Sequence, residues 1–123
     1  MTEQVLEFIQ NNNLIGIKAG KERETFLKIW MVVVQGRIFA RSWNLSQKSW
    51  YTTFLDDPKG QIQCGETAYP ISARIPKDLD RISEKINQAY LAKYNYGENG
   101  YYAQGIVQEK HWDKTLELML AEH

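Results

Sequence analysis

Apolar and polar positions alternate most clearly between residues 28 and 43. Residues 28–34 are β-branched and aromatic, and residues 37–43 set Ile38 and Ala40 on one side against Arg37, Phe39 and Arg41 on the other. Gln35-Gly36 lies between them, and a Gly at the second turn position supplies the positive φ of a two-residue hairpin. The same alternation predicts strands at 14–19, 61–64, 67–75 and 115–120, with Gly65-Glu66 turning a second hairpin. Pro70 would remove a ladder hydrogen bond, which predicts an edge or a bulge there. A period near 3.6 predicts three helices. One covers 2–12, with Thr2 as cap and Val5, Leu6, Phe8 and Ile9 on its apolar face. A second runs from a Ser46 cap to about Leu55, with Trp50 and Phe54 one turn apart. A third follows an Asp78 cap to about Tyr94 through Leu79, Ile82, Ile86, Ala89 and Tyr90. Residues 95–105 are rich in Gly and Tyr and read as irregular or as a short helical turn. Short, hairpin-linked strands imply an antiparallel sheet, and five or six of them can close into a small barrel with helices outside.

Composition narrows the class. A chain of 123 residues with 43% hydrophobic residues suggests one domain, 1–123, with a real core. Fifteen basic and fifteen acidic side chains cancel, so no global field attracts nucleic acid or an anionic membrane. No apolar run approaches a membrane span, and the first residues are acidic, unlike a signal sequence. Cys64 is the single cysteine, which rules out an intrachain disulfide and fits a reducing compartment. The expectation is a cytoplasmic protein with neither a nucleic-acid nor a membrane partner.

Most enzyme signatures are absent. His111 and His123 have no ligand spacing to a Cys, a His or a carboxylate pair, so no metal site is expected. No nucleophile elbow, phosphate-binding loop or dinucleotide fingerprint occurs. Cys64 reads as a half-buried structural thiol. Redox or group-transfer chemistry would therefore need a bound organic cofactor. The positive signal is the corner after the first hairpin. Ser46 and Lys48 would put a hydroxyl, an amine and unpaired N–H groups at a helix N-terminus, and Arg41 would fork onto the same anion. The competing reading is that Ser46 only caps, Lys48 is solvated and Arg41 pairs with a surface carboxylate. Trp30, Trp43 and Trp50 are either ring-binding walls or core aromatics. Lys28 either faces a polar cleft or marks the solvent side. Tyr94, Tyr96, Tyr101 and Tyr102 form a lid or dimer surface, or cover the end of the barrel.

The runs IWMVVVQGRIFARSW (29–43), SWYTTFLDDPKGQIQCG (49–65) and AYLAKYNY (89–96) resemble domain-of-unknown-function family 2255 of bacteria. That family is placed with the split β-barrel FMN-binding proteins, which include pyridoxamine-phosphate-oxidase-like proteins and deazaflavin-dependent nitroreductases. The resemblance implies an α+β, mainly β fold: an antiparallel six-stranded split β-barrel with flanking helices, in a homodimer with cofactor grooves between subunits. It places the phosphate of a flavin at Arg41, Ser42, Ser46 and Lys48, and the ring near Lys28 and Trp30. Where the nitroreductase relatives have a Gly-Arg-Lys-Ser-Gly turn, this chain has Gly20-Lys21-Glu22-Arg23-Glu24. It adds two acids and lacks the serine, which favours FMN over a deazaflavin. The function expected is flavin-nucleotide binding, serving an FMN-dependent oxidoreductase on a small molecule. Trp30, Trp43 and Trp50 would wall the ring, with Lys28 at its N1–C2 edge. The rival is a non-enzymatic ligand-binding or structural dimer that kept the fold and lost the cofactor.

Overall fold

The computed structural model describes residues 2–20, 24–42 and 49–121, the side chains of 109 and 110 excepted. In chain order the elements are α1 (Thr2–Asn11), β1 (Ile15–Ala19), β2 (Leu27–Ile29), β3 (Val32–Val34), β4 (Arg37–Arg41), α2 (Trp50–Asp56), β5 (Lys59–Cys64), β6 (Thr67–Arg74), α3 (Leu79–Tyr94), α4 (Asn99–Ile106), α5 (Glu109–Trp112) and β7 (Thr115–Leu120). The strands make one antiparallel sheet in the order β2-β1-β5-β6-β7-β4-β3, curled into a half-barrel.

The sheet has seven strands where six were expected, and the extra one comes from a break. Residues 28–34 do not run as one arm. They divide at Trp30 and Met31 into β2, which pairs with β1, and β3, which pairs with β4. One short segment of chain therefore serves both edges of the sheet, and a curled sheet leaves its backbone unladdered where it crosses. The Met31 N–H donates to the Tyr94 hydroxyl at 3.1 Å, and the Met31 carbonyl accepts from Lys93 Nζ at 2.6 Å. The Arg41 N–H points to the side that β3 has vacated, and the Tyr90 hydroxyl takes it at 2.9 Å. Two tyrosines one turn apart on α3 thus satisfy the two N–H groups the split orphans, as buried donors must be.

The first hairpin turn is built as its residues require. Gln35 and Gly36 have φ of 54° and 75°, the pair of positive values of a type I′ turn. β4 then buries both faces. Ile38 and Ala40 pair across to Leu118 and Leu116 in a core with Ile15, Ile17, Ile62, Ile71 and Phe54. On the other face, Phe39 joins Val32, Val34, Ile82, Ile86, Tyr90 and Tyr94 under α3 and α4. α1 covers the first core with Val5 and Ile9, and its first helical residue is Thr2, so Thr2 is not the cap.

Other expectations shift for local reasons. α2 starts at Trp50, capped by Ser49 and not by Ser46: Ser49 Oγ accepts the Thr52 N–H, and Thr52 Oγ1 accepts the Ser49 N–H at 3.0 Å, a reciprocal box. Pro70 sits inside β6, an interior strand, with no edge to shelter it. Its carbonyl faces β7 and accepts the Ala121 N–H, so its nitrogen faces the same way, at the end of the β6–β7 ladder, and the β5 ladder is untouched. Asp78 precedes α3 but makes no side-chain cap; its carboxylate is taken by Arg37. Residues 95–105, expected to be irregular or a short helical turn, hold most of α4, a helix of two turns with Ala103 and Ile106 buried against α3. Gly60 is required by close approach: a Cβ there would run into the Lys18 carbonyl oxygen and stand 2.6 Å from the Phe54 ring. No helix among the described residues is long and apolar enough to cross a membrane.

Candidate functional site

A cavity lies beside the break in the first strand. About 380 Å³ of space lies between the end of β2, the end of β4 and one face of α4. β2 and the break contribute Lys28, Ile29 and Trp30; β4 contributes Arg41; α4 contributes Asn99, Tyr102 and Ile106. Burial orders these residues by depth. Arg41 and Ile106 are 3% exposed and form the floor, while Lys28 and Tyr102 are exposed at the rim. Trp30 is half-buried and stacks on Tyr94 with centroids 4.1 Å apart and planes 7° from parallel. One face of the indole is therefore taken by Tyr94, and the cavity meets the rest of the ring.

Arg41 is the unusual group. Its Nε donates to Thr115 Oγ1 at 3.0 Å, one terminal nitrogen donates to the Asn87 side-chain oxygen and the Ile106 carbonyl, and the other donates to the Ser83 carbonyl at 3.0 Å. Its guanidinium also lies over the Tyr90 and Trp112 rings. Every one of these partners is neutral. No carboxylate among the described residues pairs with it, and burial pulls its pKa down from 12.5 to about 10. The sequence offered two partners for Arg41, an anion and a surface carboxylate. No acid among the described residues pairs with it, and with four of its five N–H donors used it has one N–H left for a ligand. What it supplies to the cavity is a buried positive charge and at most one N–H.

The other expected residues are spread unevenly. Lys28, Trp30 and Arg41 come together in the cavity. Ser42 does not line it. Ser42 is buried, its N–H donates to the Lys114 carbonyl at 3.0 Å, and its own carbonyl accepts from His111 Nδ1 at 3.1 Å. A carbonyl only accepts, so Nδ1 of that buried imidazole carries the proton. Trp50 packs edge-on to Tyr51 and Phe54 over the first core, away from the cavity. Trp43, Ser46 and Lys48 lie outside the described residues. The helix terminus invoked as an anion site is also changed, since Ser49 and Thr52 already cap it. Of the tyrosine group, Tyr94 is fully buried, Tyr102 lines the cavity, and Tyr96 and Tyr101 are exposed. Cys64 is buried, and burial raises its thiol pKa. No cluster of three or more His, Cys, Asp or Glu able to hold a metal occurs among the described residues.

Sequence reasoning missed Asn99, Ile106 and the polar residues that hold Arg41, and it named Tyr102 only within a lid, a dimer surface or a barrel-end cover. Signals existed for both. Residues 99, 102 and 106 have the i, i+3, i+7 spacing of a helical face, and Ser83, Asn87, Tyr90 and Tyr94 run as a polar and aromatic stripe beside the apolar face of α3.

Residues 6–118 match the family model described as "Uncharacterized protein conserved in bacteria (DUF2255)". The chain belongs to that family. No curated protein matches it. Among solved structures it is similar to a conserved hypothetical protein, Rv2991 from Mycobacterium tuberculosis, at a TM-score of 0.53 and 14% identity. That alignment covers 98% of this chain and 79% of the other. At such identity the likeness is one of fold. Within the DUF2255 match, every described residue lining the cavity falls inside the matched span.

Proposed function

We propose that this DUF2255 chain binds a flavin nucleotide, FMN, in the cavity at the strand break, as a split-barrel protein of the FMN-binding kind. The observation that carries the reading is the meeting of Lys28, Trp30 and Arg41 at one cavity whose floor holds a buried guanidinium with no described carboxylate partner. A buried cation in low dielectric is stabilised by an anionic or electron-rich ligand far more than an exposed one is. The cavity's size is within the range of about 300–1,000 Å³ typical of small-molecule sites. Its walls are apolar or aromatic, with Ile29, Trp30, Tyr102 and Ile106, and Asn99 adds one polar amide. These residues fit a planar group with a charged end.

When bound, such a cofactor would supply two-electron chemistry toward a small molecule, which makes an FMN-dependent oxidoreductase the activity we infer. The chain's own part is binding and exclusion of water: the aromatic walls hold a ring, and the two cations hold its polar ends. A homodimer in the cytoplasm, with a second copy closing the open side of the cavity, belongs to the same proposal. The test is the absorbance of freshly purified protein and a titration with FMN. We expect flavin bands, or quenching of FMN fluorescence with saturation in the micromolar range. A folded protein that takes up no FMN at high micromolar concentration would overturn the reading.

A second reading has a specific observation behind it. Four neutral hydrogen bonds to Arg41 are what a purely structural arginine would make while tying β7, α3 and α4 together. Under it the protein is a non-enzymatic ligand-binding or structural dimer, and the FMN titration separates the two.

A further inference from the structure

We infer that a ligand enters this cavity ring first, so that Arg41 recognises the polar edge of the ring and Lys28 recognises the phosphate. This rests on the flavin reading above and reverses the assignment that the sequence suggests, in which Arg41 holds phosphate and Lys28 meets the ring. Two independent observations carry it.

The first is donor supply. A phosphate dianion offers three oxygens and is best held by a bidentate fork or several N–H groups. Arg41 has one N–H left after Thr115, Asn87, Ile106 and Ser83 have taken the rest. One N–H matches a single carbonyl oxygen of a ring edge and falls short of a phosphate. The second is depth. Arg41 is 3% exposed at the floor, whereas Lys28 is exposed at the rim. Taking a doubly charged phosphate to the floor would strip its hydration against a single guanidinium already bonded elsewhere. Taking an uncharged ring there removes apolar surface from water instead. The apolar and aromatic residues agree with this order. Ile106 lies at the floor beside Arg41, Trp30 stands half-buried between floor and rim, and the exposed Tyr102 is left to border the ligand's outer part.

Comparing FMN with riboflavin tests the inference, because the two share the ring and differ in the phosphate. Binding is measured for the wild-type protein, Lys28→Ala and Arg41→Lys, each checked for folding by circular dichroism. We expect Lys28→Ala, a change at an exposed residue, to weaken FMN about tenfold and leave riboflavin within about twofold. Arg41→Lys should weaken FMN and riboflavin by the same factor, since its partner is the ring. If Arg41→Lys does not fold, the Lys28→Ala comparison decides alone. Equal loss of both ligands in Lys28→Ala, or a loss confined to FMN in Arg41→Lys, would overturn the orientation while leaving flavin binding intact. Failure of wild-type protein to bind either ligand would instead remove the flavin reading, and the orientation with it.

Discussion

Arg37 and Arg41 sit on the same face of β4, four residues apart, and the fold treats them in opposite ways. Arg37 lies near the hairpin turn and is wrapped in acids. Its terminal nitrogens each meet a carboxylate oxygen of Asp78 at 2.9 Å, and its guanidinium also takes both oxygens of Glu117, at 3.0 and 3.1 Å. Glu117 is shared with Arg74 at 3.1 Å. Hydrogen bonds to Asp78 and Glu117 outweigh desolvation and raise the Arg37 pKa. Arg41, beside the strand break, has only neutral partners among the described residues, and desolvation lowers its pKa. Lys93 repeats the pattern at the same end of the sheet. Its amine donates to the Ile9 and Met31 carbonyls, has no described carboxylate partner, and is pulled by burial from 10.5 down to about 8. One end of β4 is a closed ion-pair network. The other holds positive charge that the described residues leave uncancelled, beside a cavity. Closed networks hold folds together; buried charge without a counter-ion marks a place where a ligand has something to offer.

The sharpest way to break the comparison is at Glu117, the nearly buried acid of the closed network. Burial alone would raise its pKa, but Arg37 and Arg74 hold it below the usual carboxylate value. Glu117→Gln keeps the shape and leaves two guanidiniums short of a counter-charge. We expect a loss of about 3 kcal/mol, at the low end for a broken buried pair because both arginines are partly exposed. Urea denaturation checks it. A midpoint within error of wild type would mean that the network contributes nothing.

Next in size are the two tyrosines that plug the split. Tyr94→Phe orphans the buried Met31 N–H, and Tyr90→Phe orphans the Arg41 N–H. Each should cost about 2 kcal/mol, the usual penalty for a buried donor left without a partner. Tyr94→Phe also loses the bond to the Asn13 carbonyl at 2.6 Å, so it should be the larger of the two. Native-state hydrogen exchange should show the Met31 amide losing protection in Tyr94→Phe but not in Tyr90→Phe. Equal exchange in both variants would contradict the division of labour.

These tyrosines also show how far the sequence could be read. The hairpin at Gln35-Gly36, the second hairpin, α3 and β7 were legible because short-range alternation and turn chemistry decide them. The division of residues 28–34 was not. Ile29, Trp30, Val32, Val33 and Val34 favour a strand, and only the closure of the sheet, a property of the whole chain, requires the break at Trp30 and Met31. The same limit applies to the site. Lys28, Trp30 and Arg41 were legible as chemistry, by residue type. That Arg41 would be buried and bonded by Ser83, Asn87, Ile106 and Thr115 depends on contacts 42 to 74 residues away, beyond any local pattern. Ser42 and Trp50 carry the same residue types as binding groups, yet Ser42 bonds through its backbone to Lys114 and His111, and Trp50 packs on Tyr51, Phe54 and the first core.

A smaller effect sharpens the contrast at the open end. Lys93 is held neutral more readily when folded, so between about pH 8 and its ordinary value of 10.5 the unfolded chain binds the extra proton. Stability from this group therefore rises with pH in that window. Lys93→Met should remove that rise, and the difference between the two stability curves from pH 8 to 9 measures it. A difference that stays flat with pH would show that the amine keeps its ordinary affinity for protons.

The smallest effect is at the closed end, where Asp78 faces solvent. The hydrogen bonds from Arg37 draw its pKa from 3.8 down to about 2. A depressed carboxylate stabilises the folded state above its unfolded pKa, and the stabilisation is lost as pH falls through the folded value. Glu117, lowered from 4.5, has the same sign. Wild-type protein should therefore lose stability from about pH 4.5 down to about pH 2. Asp78→Asn should hardly move the denaturation midpoint at pH 7, because the carboxylate is exposed and salt screens the pair. It should instead make the acid limb shallower between about pH 4 and pH 2, and Glu117 should account for what remains. Acid limbs that run parallel in the two proteins would assign the whole acid sensitivity to other carboxylates. The ion-pair network would then close on Glu117 alone, and Arg37, relieved of its exposed partner, would differ from Arg41 by one buried acid.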